Sequence, residues 1–190
     1  ASRSNKDPYT TFDHSLRTLE NALDCSRYQV SMKRFIYFSS SMVYGNFNSK
    51  VVNEESICNP LGIYGALKFS GEKLVIAYNQ VFKLPFSIIR PSALYGERCI
   101  SRRVGQIFIE NAIRGKNLII QGEGDETLDF IYIDDLVQGI IRCIYREESM
   151  NEIFNLTYGE GRSLKDLAQI VKNNFPNIKI EHRDRDSLVP

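Results

Sequence analysis

The chain has 190 residues, 43% hydrophobic and 25% charged, which is ordinary globular composition and enough to bury a sizeable core. A formal net charge of +1 gives no electrostatic drive toward nucleic acid or an anionic membrane, and no apolar run approaches the roughly 20 residues that span a bilayer. The four cysteines, Cys25, Cys58, Cys99 and Cys143, lack metal-ligand spacing, so no metal site is expected and they read as reduced packing residues of a cytoplasmic protein.

In chain order, Asp7-Pro8 opens a helix, with Phe12, Leu16, Leu19 and Leu23 at helical spacing. Residues 34–39 form a short apolar run that reads as a buried parallel strand. A polar loop (46–60) leads to a long helix from about Gly62 to Val81, with Ala66, Leu67, Leu74, Val75 and Tyr78 facing inward. After Lys83-Leu84-Pro85 a second strand covers 86–90. Helix–strand alternation with crossovers of this length predicts parallel strands flanked by helices.

Further along, 104–114 is an amphipathic helix ended by Gly115, with Val104, Ile107, Phe108 and Ala112 inward. Strands follow at 118–120 and 130–133, around a Gly122-Glu123-Gly124 turn. Asp134 then caps a helix that turns Leu136, Val137, Ile140, Ile141 and Ile144 inward. Residues 153–156 form a strand, Ser163 and Asp166 have capping-box spacing at the start of the last helix, and 178–180 is the final strand.

Two features carry chemistry. Tyr64 and Lys68 lie four apart at the start of the long helix, so both face one side. A free tyrosine has a pKa near 10, and a neighbouring ammonium favours the phenolate, which is what a general base for a substrate hydroxyl requires. The strand at 34–39 runs straight into Ser39-Ser40-Ser41, at the end of a parallel strand where open α/β sheets bind ligands. No Gly-rich G-x-G-x-x-G turn occurs in the chain.

The ordered set Phe38-Ser-Ser-Ser-Met-Val-Tyr-Gly45, Tyr64-x-x-x-Lys68, Arg90-Pro-Ser-Ala-Leu-Tyr-Gly96, Asp129-Phe-Ile-Tyr-Ile-Asp-Asp135 and Phe154-Asn-Leu-Thr-Tyr-Gly159 resembles the extended short-chain dehydrogenase/reductase family of NAD-dependent epimerases and dehydratases. The resemblance runs over essentially the whole chain. It implies Ser40, Tyr64 and Lys68 as the catalytic set. It further implies cofactor contacts from Ser39, Tyr64, Lys68, Pro91 and Ser92, and substrate contacts from Ser41 and Met42. It places the Gly-rich loop before residue 1, so the chain is expected to be truncated at both ends. A homodimer, NAD as cofactor (NADP is not excluded) and a nucleotide-sugar substrate are further implications.

Departures from the family pattern refine these expectations. Dehydratases carry Asp-Glu after the catalytic Ser/Thr, and here the pair is Ser41-Met42, which disfavours dehydration. Positions that touch the substrate diphosphate in the family are Ala93 and Leu128, and a helical Asn is His14; Arg98, Arg102 and Arg103 are the candidate phosphate-binding cations in their place.

The expected fold is α/β: a partial Rossmann-type doubly wound parallel sheet whose N-terminal βαβ units are missing, with an interleaved small mixed α/β substrate domain. Residues 1–92 belong to the dinucleotide-binding part and 93–190 to the substrate region, with 129–158 returning to the former. The expected function is epimerisation of a nucleotide sugar by transient oxidation of a ring hydroxyl. The alternatives are a reductase or dehydrogenase of a related carbonyl substrate and a non-catalytic NAD-binding module.

Overall fold

The computed structural model describes residues 2–47, 51–99 and 103–184. Its helices and strands follow in order as α1 (Ser2–Lys6), α2 (Pro8–Phe12), a π-helical turn (Asp13–Arg17), α3 (Thr18–Arg27), β1 (Phe35–Phe38), a 3-10 turn (Ser41–Tyr44), α4 (Gly62–Phe82), β2 (Phe86–Pro91), β3 (Ala93–Tyr95), α5 (Val104–Ile113), β4 (Leu118–Gln121), β5 (Thr127–Tyr132), α6 (Ile133–Tyr145), a second 3-10 turn (Glu147–Ser149), β6 (Glu152–Leu156), β7 (Gly161–Ser163), α7 (Leu164–Asn174) and β8 (Ile180–Arg183).

The chain divides into two compact units. The first holds residues 1–92 and 136–156, the second 93–135 and 157–190. In the first, β1, β2 and β6 form an all-parallel sheet in the order β1-β2-β6. Ile88 and Ile89 of β2 are fully buried, as expected for the middle strand of a sheet covered on both faces. Leu19, Leu23, Val75, Leu84, Phe86 and Ile88 make its core.

In the second unit β3 and β5 pair in parallel, β7 joins β5 antiparallel, and β4 pairs with β8 in parallel. Its core is Phe108, Ala112, Leu118, Ile120, Ala168, Val171 and Ile178. The fold is the mixed α/β architecture with parallel sheets that the sequence predicts. The capping box of α7 is present, with Ser163 accepting from the Asp166 amide and the Asp166 carboxylate accepting from the Ser163 amide.

Several local expectations are corrected. Asp7 caps α2 as predicted, yet Phe12 is exposed while Leu19 and Leu23 are buried. The π-helical turn adds a residue between them, which rotates α2 by about 100° relative to the stripe that continues in α3. Ile133 is the first residue of α6 rather than the last of a strand, so Asp134 sits in the first helical turn instead of capping it. The last strand lies at Ile180–Arg183, two residues beyond the expected start.

Helix α4 buries Gly65, Gly71, Glu72 and Val75, whereas Ala66 is exposed. The reason is close approach. A Cβ at Gly65 would lie 2.7 Å from the Met42 carbonyl oxygen, and one at Gly71 would lie 2.2 Å from the Tyr37 hydroxyl. At these two glycines the helix backbone itself touches its neighbours, the Met42 carbonyl at one and the Tyr37 side chain at the other, and the larger side chains are displaced from this side.

Helix α6 follows the same rule. A Cβ at Gly139 would come within 2.8 Å of Leu156, so the helix turns its glycine and Cys143 toward the sheet. Val137, Ile141 and Ile144 are rotated off that line and remain exposed, contrary to the periodicity. Of the cysteines, Cys143 is buried and Cys25 is exposed, so Cys25 is not a packing residue.

Candidate active site

Residues from three sequence segments meet the C-terminal edge of the parallel sheet in the first unit. Ser39 continues the ladder from β1, its amide donating to the Ile89 carbonyl at 2.7 Å. Pro91 ends β2 in register with Leu156 of β6, and the Ser92 amide donates to the Leu156 carbonyl at 3.3 Å. Helix α4 starts beside them, because the Gly65 backbone abuts the turn that Ser40 caps.

The hydrogen bonds give each group a defined role. The Ser40 hydroxyl oxygen accepts from the Met42 amide at 3.2 Å, which leaves its single hydrogen to donate elsewhere. Lys68 Nζ donates to the Phe38 carbonyl at 2.8 Å, and it stands 5.8 Å from the centre of the Tyr64 ring and 5.4 Å from that of Tyr37. One of its three N–H groups is thus engaged at the end of β1. Ser39 behaves differently from its neighbour: it is buried, and its hydroxyl donates to Glu72.

Burial holds the pKa of Lys68 below the ordinary lysine value. The folded state therefore releases this proton at lower pH than the unfolded chain does. Between the two values the unfolded chain carries more protons, so stability rises with pH, and below that window the buried ammonium is a net cost. Lys68→Met should raise the melting temperature at pH 7 by a small amount, on the order of 1–3 °C. The gain should shrink as pH climbs toward the free-lysine value of about 10.4. Thermal unfolding at pH 7 and pH 10 tests this, and a Lys68→Met chain less stable than wild type at pH 7 would show that the Phe38 bond outweighs the burial cost.

The NAD dependent epimerase/dehydratase family model matches residues 1–157. The chain belongs to this family. It is 31% identical over 166 residues to an uncharacterized UDP-glucose epimerase of Bacillus subtilis, covering 87% of this chain and 51% of that one. It is also 31% identical over 182 residues to a dTDP-D-glucose 4,6-dehydratase of Dictyostelium discoideum, covering 86% of this chain and 41% of the relative. Among solved structures it is similar to a UDP-glucuronic acid 4-epimerase from Bacillus cereus in complex with UDP-glucuronic acid and NAD, with a TM-score of 0.83 and 27% identity over 90% of this chain and 55% of the other. The chain spans about half the length of the curated relatives it matches.

The family is NAD-dependent, and the residues at the sheet edge fit that cofactor. The Ser92 hydroxyl oxygen is buried and has no hydrogen-bond partner among the described residues, as expected where a bound group completes the site. Lys68 Nζ has N–H groups beyond the one that bonds the Phe38 carbonyl. Neither observation involves a residue used to build the core.

The remaining predicted positions fall as follows. Met42 is 40% exposed, on the turn that Ser40 caps. Arg98 and Arg103 are exposed and belong to the second unit, Arg98 with a left-handed backbone (φ 61°) and Arg103 as the residue before α5. Arg102 lies outside the described residues. His14 is exposed in the π-helical turn. Among the described residues no helix is long and apolar enough to cross a membrane.

Sequence reasoning missed Glu72, although a signal was present. Tyr64, Lys68 and Glu72 follow at intervals of four on one side of α4, and a carboxylate on a buried stripe needs a charged or hydrogen-bonded partner. It also missed Asp129, whose carboxylate accepts from the Tyr158 amide at 2.8 Å and the Gly159 amide at 2.9 Å and so fixes the loop before β7.

Proposed function

We propose that the protein carrying this chain is a nucleotide-sugar epimerase acting on a ring hydroxyl. Tyr64 as phenolate takes the hydroxyl proton, Ser40 donates its one free hydrogen to the same oxygen, and Lys68 holds the cofactor ribose and keeps positive charge near the phenolate. NAD, held there by Lys68, Ser39, Pro91 and Ser92, would supply the hydride acceptor for the oxidation and the hydride donor for the re-reduction. Tyr64 gives the proton back as the second hydroxyl forms. Ser39, Pro91 and Ser92 are the proposed cofactor-side contacts, Ser41 and Met42 the proposed substrate-side contacts, and Arg98, Arg102 and Arg103 the proposed partners of the substrate phosphates.

The observation that favours epimerisation over dehydration is Met42. Elimination of water needs a side chain that moves a proton, and the exposed thioether on the Ser40-capped turn moves none. Relatives named as UDP-glucose epimerases and the UDP-glucuronic acid 4-epimerase structure support the substrate class.

The test is incubation of the protein, in its natural full length, with UDP-glucose, UDP-galactose, UDP-glucuronic acid and dTDP-glucose, each with NAD, followed by proton NMR of the sugar. The expected result is an epimer with no accumulated NADH and no keto-deoxy product. A keto-deoxy sugar would make the protein a dehydratase, and stoichiometric NADH would make it a dehydrogenase.

A further inference from the structure

Below Tyr64 and Lys68 lies a charged cluster that the reaction does not use. Glu72 and Arg90 are only 1% and 2% exposed. Arg90 grips the carboxylate with a fork, Nε to Oε1 at 2.8 Å and Nη2 to Oε2 at 2.7 Å. The Ser39 hydroxyl donates to the same Oε1. On its other side Arg90 Nη1 donates to the Tyr44 hydroxyl at 2.7 Å and to the Glu54 carbonyl at 3.3 Å. Tyr44 donates onward to Asn155 Oδ1 at 2.8 Å, and the Asn155 amide donates to the Glu54 carboxylate at 2.6 Å.

Burial opposes the charge on Arg90, but the Glu72 carboxylate and the Tyr44 hydroxyl more than offset it, so the guanidinium pKa lies above its ordinary value. Stability alone does not call for such a pair. Replacing a buried ion pair by apolar residues of similar volume is often neutral or stabilising. What apolar side chains cannot supply is direction. The two outer bonds of the cluster fall on Ser39 and Tyr44, which bracket Ser40 and the turn that follows it. The carboxylate itself sits four residues beyond Lys68, on the side of α4 that carries Tyr64.

We infer that Glu72 and Arg90 are positioning residues that set the alignment of Ser40 with Tyr64 and Lys68. They act through Ser39 and Tyr44 and do not touch substrate. This rests on the assignment of Ser40, Tyr64 and Lys68 as the reacting set. The cluster joins the end of β1, the Ser41–Tyr44 turn, α4, β2 and β6, so a shift of any one is resisted by the other four. Misplacement of a reacting group by 1 Å costs roughly 10²-fold in rate, which sets the scale of the effect.

The test uses the full-length protein with the double substitution Glu72→Met/Arg90→Met, which removes both charges and keeps the volume. The expected result is a folded protein with kcat down on the order of 10- to 100-fold. The fall in kcat should exceed any change in KM for the nucleotide sugar or in Kd for NAD, and hydrogen exchange should be faster at the amides of residues 39–44. A wild-type kcat in the folded double variant overturns the inference, and so does a lowered kcat with unchanged exchange in 39–44. If the double variant fails to fold, Tyr44→Phe decides, because it deletes the hydroxyl that Arg90 holds at the far end of the turn. It should lower kcat and speed exchange in the same segment, and wild-type values in either would overturn the inference. Tyr64→Phe run alongside separates the two questions. An active Tyr64→Phe overturns the reacting set, whereas an inactive one beside a fully active double variant overturns only the positioning role.

Discussion

Tyr64→Phe should abolish most turnover in the protein that carries this chain while leaving its fold and NAD affinity close to wild type. The ring remains, so its contact with Lys68 Nζ, 5.8 Å from the ring centre, is kept and the loss of stability is small. What disappears is the hydroxyl, and with it the group proposed to take the sugar proton. Proton transfer by a placed side chain contributes roughly 10²–10⁴-fold, so the rate should fall by at least about that much. Ser40→Ala should cost less, since Ser40 is proposed to give only one hydrogen bond to the reacting oxygen, and its own oxygen is already held by the Met42 amide. Rapid-mixing absorbance at the NADH band, with the nucleotide sugar in excess, reads the first oxidation directly. If Tyr64→Phe still shows most of the wild-type amplitude and rate, Tyr64 is not the base, and a non-catalytic NAD-binding role moves ahead of the enzyme.

The largest stability effect should come from Glu72→Leu alone. The substitution leaves Arg90, 2% exposed, without its carboxylate partner. Removing one member of a buried pair strands the other charge and costs about 3–5 kcal/mol. For a chain of this size each kcal/mol moves the melting temperature by about 2–4 °C, so a fall of roughly 6–20 °C is expected. Arg90→Leu should do similar damage, and the paired Met substitutions much less, because no charge is then stranded. Thermal melts of the four proteins measure this. A Glu72→Leu melting temperature within about 2 °C of wild type would show that water reaches Arg90 and that the pair is not truly buried.

The sequence and the structure agree best where a signal is local and strong. The all-parallel strands β1, β2 and β6 are legible as β-branched and aromatic runs, and the α7 capping box from two residues. The Tyr64/Lys68 pair and Ser40 stand out for the same reason, since helical spacing and a serine run at a strand end are visible in one dimension. Val137, Ile141 and Ile144 show the limit of periodicity. A 3.6-residue pattern marks an apolar face, but the Gly139–Leu156 approach decides which way that face turns. The identity of the partner of Glu72 was illegible for a different reason: Arg90 lies 18 residues away, and only the packing of helix α4 against strand β2 brings the two together. The π-helical turn at Asp13–Arg17 carries no residue signature at all.

The passage of the chain from the first unit to the second and back has a kinetic price. Strand β2 finds its second neighbour only when β6 arrives, and contacts at that junction join residues 65 apart. Closing a loop of that length is thermodynamically mild, because the entropy cost grows only with the logarithm of length, but non-local pairing of this kind slows folding. During synthesis at about 5–20 residues per second, the apolar strand Phe86–Pro91 waits roughly 3–13 s for its partner. For that interval its outer edge offers a row of unpaired amides and carbonyls to any other strand nearby, so the nascent chain is most open to aggregation or chaperone capture between the emergence of β2 and that of β6.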